Sequence, residues 1–381
     1  MRILMAEHTF YRSLFQVGGQ HLARALARRG HQVVYLSPPL NPLQLRGLIG
    51  ARAAETRARF GNHHGGGERS DEGVFHYVPF TLVPFLRAPV LDSPSMLRRH
   101  TAWTMPGLAR WIEQRGPYDG VVLGDVRYVP LLPRIVARRR FLRITDDLLS
   151  FTHVPRSVAH LVCEAAAVTD GFVITAEVLR ETLPAGATPR AVHLVPNGVD
   201  PDHFQAPQPE PGDLAALPRP RAVYVGALES WFDVPRLAAA ATSLPDVQFV
   251  IIGPARTSLA ALEALDNVHL FGPRPYARVP AYLQHCQLGI IPFRSGRLTD
   301  GVSPLKLYEY LASGLPVVAS AWAELRRRPS PALLVEPGQD LAAAMRRMLE
   351  NPPPVDTLRD FAASNSWDER AGRLEALLAA G

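Results

Sequence analysis

Lys306 is the only lysine among 381 residues; every other basic side chain except histidine is an arginine. An ammonium is a compact point charge that reaches a phosphate oxygen where a planar guanidinium is too bulky, so a lone lysine marks a crowded anionic contact. Ser303-Pro304 just before it reads as an N-cap followed by proline at the first helical position. Leu305 to Ser313, with Gly314 behind, reads as a short helix with a glycine stop. The start of a helix offers unpaired N–H groups and partial positive charge, and Lys306 adds a full charge there, which together suit a diphosphate. Glu309 follows one turn later on the same face, where a carboxylate can accept hydrogen bonds from two vicinal hydroxyls, as on a ribose. The competing reading is a solvated Lys306–Glu309 pair of little energetic weight.

Three more turns close strand-like runs in the second half. Gly226-Ala227 follows Tyr224-Val225, where missing side chains let the backbone approach a ligand. Gly253-Pro254 ends the next run. Phe271-Gly-Pro-Arg274-Pro-Tyr276 then supplies an aromatic ring and an arginine plane able to stack on a nucleobase. Phe293-Arg294 and the Asp300-Gly301 turn lead into the Lys306 helix. Each turn alone also reads as an ordinary strand-to-helix connection; together they compose a base pocket, a diphosphate site and a ribose carboxylate, the parts of a nucleotide-sugar site.

Apolar β-rich runs alternate with amphipathic helical patterns, which predicts α/β architecture with parallel sheets wrapped by helices. First-half strand candidates are 3–6, 32–36, 120–123, 141–145, 171–175 and 192–195, with Gly18-Gly19 and a helix ending at Gly30 between the first two. Proline-rich 201–220 reads as a linker. The alternation restarts with strands at 222–225, 248–252, 268–271, 289–292 and 316–319 and helices near 234–241, 258–265, 278–285 and 304–313. Helical segments at 357–363 and 367–380 close the chain. The expected division is an N-terminal doubly wound domain (1–203), a linker (204–220), a second such domain (221–364) and a terminal helix (365–381). Tandem units of this kind place ligands at the carboxyl ends of their strands.

A net charge of +6 and a pI near 9.6 predict an anionic partner. The clusters Arg28-Arg29, Arg98-Arg99, Arg138-Arg139-Arg140 and Arg326-Arg327-Arg328 surround no nucleic-acid module, so nucleic acid is not expected. Three of the four lie in the first half, and in 45–60 arginines 46, 52, 57 and 59 interleave with apolar residues, which predicts peripheral contact with an anionic bilayer. A solvated arginine-rich face is the alternative. No long apolar run and no signal-peptide pattern occurs, so the expected location is the cytoplasm, at most peripheral on the inner face of the membrane. Cys163 and Cys286 read as core residues. The glycine-rich stretch 61–73 reads as a mobile loop, with His63 and His64 as plain loop residues.

Val195-Pro-Asn-Gly-Val-Asp200, the start Val225-Gly-Ala-Leu and the run from Ser303 to Val318 resemble GT-B glycosyltransferases over essentially the full chain. The flavour is that of bacterial exopolysaccharide and teichuronic-acid type transferases, similar to the xanthan glucuronosyltransferase. The resemblance implies two Rossmann-like domains facing a cleft. It also implies a UDP- or GDP-sugar co-substrate and a lipid-linked or saccharide acceptor. On the donor side Lys306 would hold the diphosphate, Glu309 the ribose or sugar hydroxyls and Ser303 the phosphate oxygens. Gly18-Gly19, with His8 close to the first strand, resembles the glycine loop that meets donor phosphate or acceptor, and the segment at Trp367-Asp-Glu resembles the helix that crosses back to the first domain.

Many retaining members carry a second glutamate in a register that falls on Val302 here, so retention of anomeric configuration does not carry over. Inversion needs a group to take the acceptor proton as the hydroxyl attacks the anomeric carbon. Asp146 and Asp147, at the carboxyl end of a strand, are the leading candidates, ahead of His8, Asp125 and His153. No Asp-X-Asp metal motif appears in these loops, so metal-independent transfer is expected, with Lys306, the helix start and Arg294 meeting the leaving charge. The alternatives are a sugar-nucleotide epimerase of the same architecture and a non-catalytic module that binds nucleotide sugar.

Overall fold

The computed structural model describes residues 1–45 and 53–380 and divides into two compact units, Met1–Pro196 with Arg370–Gly381, and Asn197–Glu369. Arg46 and Arg52, part of the expected bilayer contact, lie outside the described residues.

The strands of the first unit are β1 (Arg2–Ala6), β2 (Gln32–Leu36), β3 (Glu68–Arg69), β4 (Phe75–Tyr77), β5 (Phe80–Thr81), β6 (Thr104–Met105), β7 (Tyr118–Leu123), β8 (Ala137–Ile144), β9 (Gly171–Ile174) and β10 (Val192–Leu194). One sheet runs in the order β10-β9-β8-β7-β1-β2-β4-β3 and is parallel except where β3 meets β4; β5 and β6 pair antiparallel in a separate ribbon. The second unit holds β11 (Arg221–Val225), β12 (Gln248–Ile252), β13 (Val268–Leu270), β14 (Leu288–Ile291), β15 (Val317–Ser320) and β16 (Leu333–Val335) in one parallel sheet, order β13-β12-β11-β14-β15-β16. Both are doubly wound: chain order reverses at β1/β7 in one and at β11/β14 in the other, and the crevice beside such a reversal is where ligands settle.

Central strands are apolar almost end to end because helices cover both faces of a parallel sheet. Ile3, Leu4 and Met5 of β1 are fully buried, as are Val317, Val318 and Ala319 of β15, and each sheet anchors its own core. In register, Ile3 lies opposite Val33 on one side and Gly120 on the other.

The short strands β3 to β6 and β16 escape the sequence pattern, since two or three residues cannot show a period. The stretch 61–73 is not a loop throughout: it ends the helix Ala53–His64 and includes β3. Asn62 is buried there, its Oδ1 accepting from Val78 N at 2.8 Å and its Nδ2 donating to His76 O at 3.2 Å. The expected linker is instead built into the second unit, through helices Pro201–Gln205 and Gly212–Ala215 whose Phe204 and Leu214 are fully buried. Cys286 is buried as expected, whereas Cys163 is partly exposed. The terminal helix Trp367–Ala379 begins in the second unit and belongs to the first from Arg370 onward.

Candidate functional site

In the second unit the carboxyl ends of β11, β12 and β13 finish on glycines with positive φ: Gly226 at 149°, Gly253 at 151° and Gly272 at 68°. Backbone hydrogen bonds run across these turns, Gly226 N to Ile252 O at 2.9 Å and Gly253 N to Gly272 O at 3.1 Å. The packing leaves no room for side chains: a Cβ on Gly253 would sit 1.9 Å from Gly226 O, and one on Gly226 would sit 3.1 Å from Lys306 Cε. Bare backbone therefore forms this rim.

The Lys306 helix spans Leu305–Ala312. Pro304, not Ser303, occupies the N-cap, because its backbone is still extended (φ −77°, ψ 119°) and the helix starts one residue later. Freed from capping, the Ser303 hydroxyl is buried without a hydrogen-bond partner. Asn197 Nδ2 donates to Ser303 O at 2.8 Å, Trp322 Nε1 donates to Val302 O at 3.0 Å, and Asp300 Oδ1 accepts from Ala323 N at 3.2 Å. Three side chains thus fix the turn that launches the helix.

Lys306 sits in the first turn, half-buried, with its ammonium 4.8 Å from the centre of the Phe293 ring and 5.4 Å from that of Tyr224. Two aromatic faces hold it by cation–π attraction. No carboxylate reaches ion-pair distance of it among the described residues, which removes the solvated-pair reading. Desolvation pulls Lys306 down to about 8 against the opposing influence of Glu309. Glu309 is buried, and that burial pushes it up to about 7 despite Lys306 and a hydrogen bond with the Tyr276 hydroxyl. A positive charge poised beside bare backbone, with a carboxylate one turn away, can accept a diphosphate and hydroxyl groups.

Two expected base-stacking residues are already engaged. Arg274 donates to Tyr282 Oη at 2.9 Å, Asp213 Oδ2 at 2.9 Å and Phe271 O at 2.5 Å, so its guanidinium braces the helix Gly212–Ala215 against the loop after β13. Tyr276 stacks on His203, centroids 4.9 Å apart and planes within 11°. Arg294 is exposed and 3.9 Å from Asp233.

In the first unit Asp147 is buried and caps the one-turn helix Leu148–Ser150, its Oδ1 accepting from Leu149 N at 3.3 Å. Asp146 is more open, and its Oδ2 accepts from the Thr145 hydroxyl at 2.8 Å. Gly18 and Gly19 form no loop; they open the helix Gly18–Arg28. His8 is exposed, with Nδ1 3.3 Å from Gly124 O.

Sequence reasoning passed over Glu7. It follows β1, is wholly buried, and neither carboxyl oxygen has a hydrogen-bond partner. A Cβ on Gly19 would fall 2.5 Å from its carboxyl group and one on Gly124 2.1 Å from Oε2, so two glycines make its cradle. Burial raises its pKa, Arg143 and His8 oppose the rise, and Asp125 adds to it. The signal available was weak: one acidic letter ending an apolar strand.

Residues 219–351 match the family described as glycosyl transferases group 1. The chain is 34% identical over 135 residues to TuaH of Bacillus subtilis (strain 168), named as a teichuronic acid biosynthesis glycosyltransferase, covering 34% of each chain. It is 30% identical over 224 residues to the 2-deoxystreptamine glucosyltransferase of Streptomyces kanamyceticus, covering 53% of this chain and 56% of that one. The matches thus span about a third and just over half of those relatives' lengths. Among solved structures, Anabaena Alr3699/HepE in complex with UDP superposes with a TM-score of 0.66 at 15% identity, over 100% of both chains. The chain has the GT-B fold, and residues 219–351, within its second unit, are similar to the group 1 glycosyl transferases.

Proposed function

We propose that the protein is a glycosyltransferase that moves a sugar from a nucleotide-sugar donor to a lipid-linked or saccharide acceptor in bacterial glycoconjugate synthesis. One observation carries the reading: the lone lysine is held between Tyr224 and Phe293 in the first turn of Leu305–Ala312, without a carboxylate partner among the described residues and beside the bare backbone of Gly226. The group 1 similarity over the same stretch supports it, as do the glycosyltransferase relatives and a structural neighbour solved with UDP.

In this reading Lys306 and the helix start neutralise the donor diphosphate as the sugar–phosphate bond breaks, with the Ser303 hydroxyl as a further donor to phosphate oxygen. Glu309 accepts from ribose or sugar hydroxyls. Charge on the departing nucleoside diphosphate is met by these groups, so transfer is metal-independent; activity abolished by chelator and restored by manganese would count against this. For transfer with inversion, Asp146 is the better base of the pair, because Asp147 already caps a backbone N–H while Asp146 is engaged only by Thr145 among the contacts described. The acceptor hydroxyl would attack the anomeric carbon, its proton passing to Asp146.

A thermal-shift panel of UDP-, GDP-, dTDP- and ADP-sugars, followed by turnover with the stabilising donor, tests the function. The expected result is stabilisation by at least one sugar nucleotide, lost in Lys306→Met, and turnover reduced by about a hundredfold or more in Asp146→Asn. No stabilisation by any of the four would overturn the proposal.

A further inference from the structure

The ribbon of β5 and β6 is inside out. Phe80 pairs with Met105 and Thr81 with Thr104, and Leu82 N donates to Trp103 O at 3.1 Å, which continues the ladder by one more pair. Side chains alternate across such a ribbon. The inward face is polar: Thr81 and Thr104 are buried, Thr81 Oγ1 donating to His100 O at 2.8 Å and Thr104 Oγ1 donating to Thr101 O at 3.1 Å. On the other face Phe80 packs against Phe10, Leu40 and Val78, while Leu82, Trp103 and Met105 turn outward, each about half exposed at 52%, 49% and 52%. A solvent-facing ribbon normally shows the opposite pattern, so this face has something to meet.

The same segment exposes Leu86 and Val90, and it is framed by arginines. Arg99 lies one turn before Trp103, whose N–H reaches Arg99 O at 3.1 Å, and Arg110 lies in the helix Leu108–Glu113, separated from the end of β6 by two residues. Both are exposed and have no ion-pair partner among the described residues. Of the acids closest along the chain, Glu113 is paired with Arg134 at 3.2 Å, and Asp92 is turned to backbone, accepting from Arg156 N and Ser157 N at 3.0 and 2.9 Å. By contrast, the helix Ala53–His64 exposes one large apolar side chain, Phe60, and Arg59 turns inward to donate to Pro38 O at 3.0 Å, so the expected bilayer contact at 45–60 has little apolar surface among its described residues.

We infer that the outward face of this ribbon, Leu82, Trp103 and Met105 with Arg99 and Arg110 beside them, docks onto an anionic lipid bilayer. Aliphatic and thioether side chains enter the acyl boundary, the indole takes the interfacial level with its N–H towards water, and the guanidiniums meet lipid phosphate. This deepens the proposed function by favouring a lipid-borne acceptor, but it rests on the surface chemistry alone and is tested without donor or turnover.

The test is co-sedimentation of the full chain with vesicles of phosphatidylcholine alone and of phosphatidylcholine with phosphatidylglycerol, at low and high salt. Wild type is expected to pellet with the mixed vesicles and to be released by salt. The variants Leu82→Ser/Trp103→Ser/Met105→Ser and Arg99→Glu/Arg110→Glu should each weaken binding by about tenfold or more while keeping the wild-type melting temperature. Failure of wild type to pellet, equal pelleting with both lipids, or unchanged binding by the triple variant would overturn the inference. So would a shift from dimer to monomer in the triple variant with vesicle binding intact, since the face would then serve a second copy. A donor thermal shift that persists in the variants separates loss of docking from loss of the donor site.

Discussion

Lys306 and Glu309 are displaced towards each other in pKa by burial, and this sets a pH window for donor binding. Lys306 must carry its proton to meet phosphate, so above about 8 binding requires proton uptake and affinity falls by about tenfold per pH unit. Glu309 must be ionised to accept from two hydroxyls, so below about 7 affinity falls again. Calorimetric titration of the stabilising sugar nucleotide should therefore show a maximum between these limits, with the acid limb absent in Glu309→Gln; constant wild-type affinity from pH 8 to 9.5 would contradict it. Glu7 gives a stability signature of its own. Its folded pKa lies above the ordinary 4.5, so the folded state binds the proton more tightly than the unfolded chain, and stability is lost as pH rises from about 4.5 through the raised value. Glu7→Gln keeps the shape and removes the ionisation. Its melting temperature should exceed that of wild type at neutral and alkaline pH, with the difference shrinking towards pH 4.

Between strands and helices, the turns after β11 and β12 are the least tolerant part of the second unit. Gly253→Ala forces both a positive φ on an L-residue and a contact 1.9 Å from Gly226 O that is backbone and cannot swing aside. It should cost about 3 kcal/mol or more in chemical denaturation. Gly226→Ala carries the same positive-φ strain but meets Lys306 Cε and Tyr224 Oη, both at 3.1 Å, in place of backbone, so it should cost less stability than Gly253→Ala and also weaken donor affinity. The same elements show what could be read from the letters. The glycine ends and the Lys306 helix were legible because local rules of turns and caps write them into adjacent residues. The role of Arg274 was not: its partners Asp213 and Tyr282 lie 61 and 8 residues away, and only the packing of helix Gly212–Ala215 brings the first of them close. Glu7 was hidden for a similar reason, since Gly19 and Gly124 become its walls only when β1 and β7 pair.

For the molecule as a whole, the alternation of strands and helices was enough to foretell two doubly wound units, because the long central strands are apolar throughout. Unit boundaries were less legible, because prolines at 201–220 suggest a tether where Phe204 and Leu214 are buried. The last helix belongs to this scale too. Trp367 is buried in the second unit, and Ala371, Leu374 and Leu378 are buried in the first. Ending the chain at Ser366 would forfeit roughly 6 kcal/mol of apolar burial. Such a truncation should lower the melting temperature of the full chain by about 10 °C or more, or leave it insoluble on expression.

A chain with one lysine also has one side-chain amine, and that amine titrates near 8, where acylating reagents already find free base. Selective chemistry at this position therefore needs no engineered handle. Intact-mass spectrometry after brief acylation should show two reactive amines, the N-terminus and Lys306, and protection of the second by a bound sugar nucleotide would turn a compositional accident into a direct occupancy gauge.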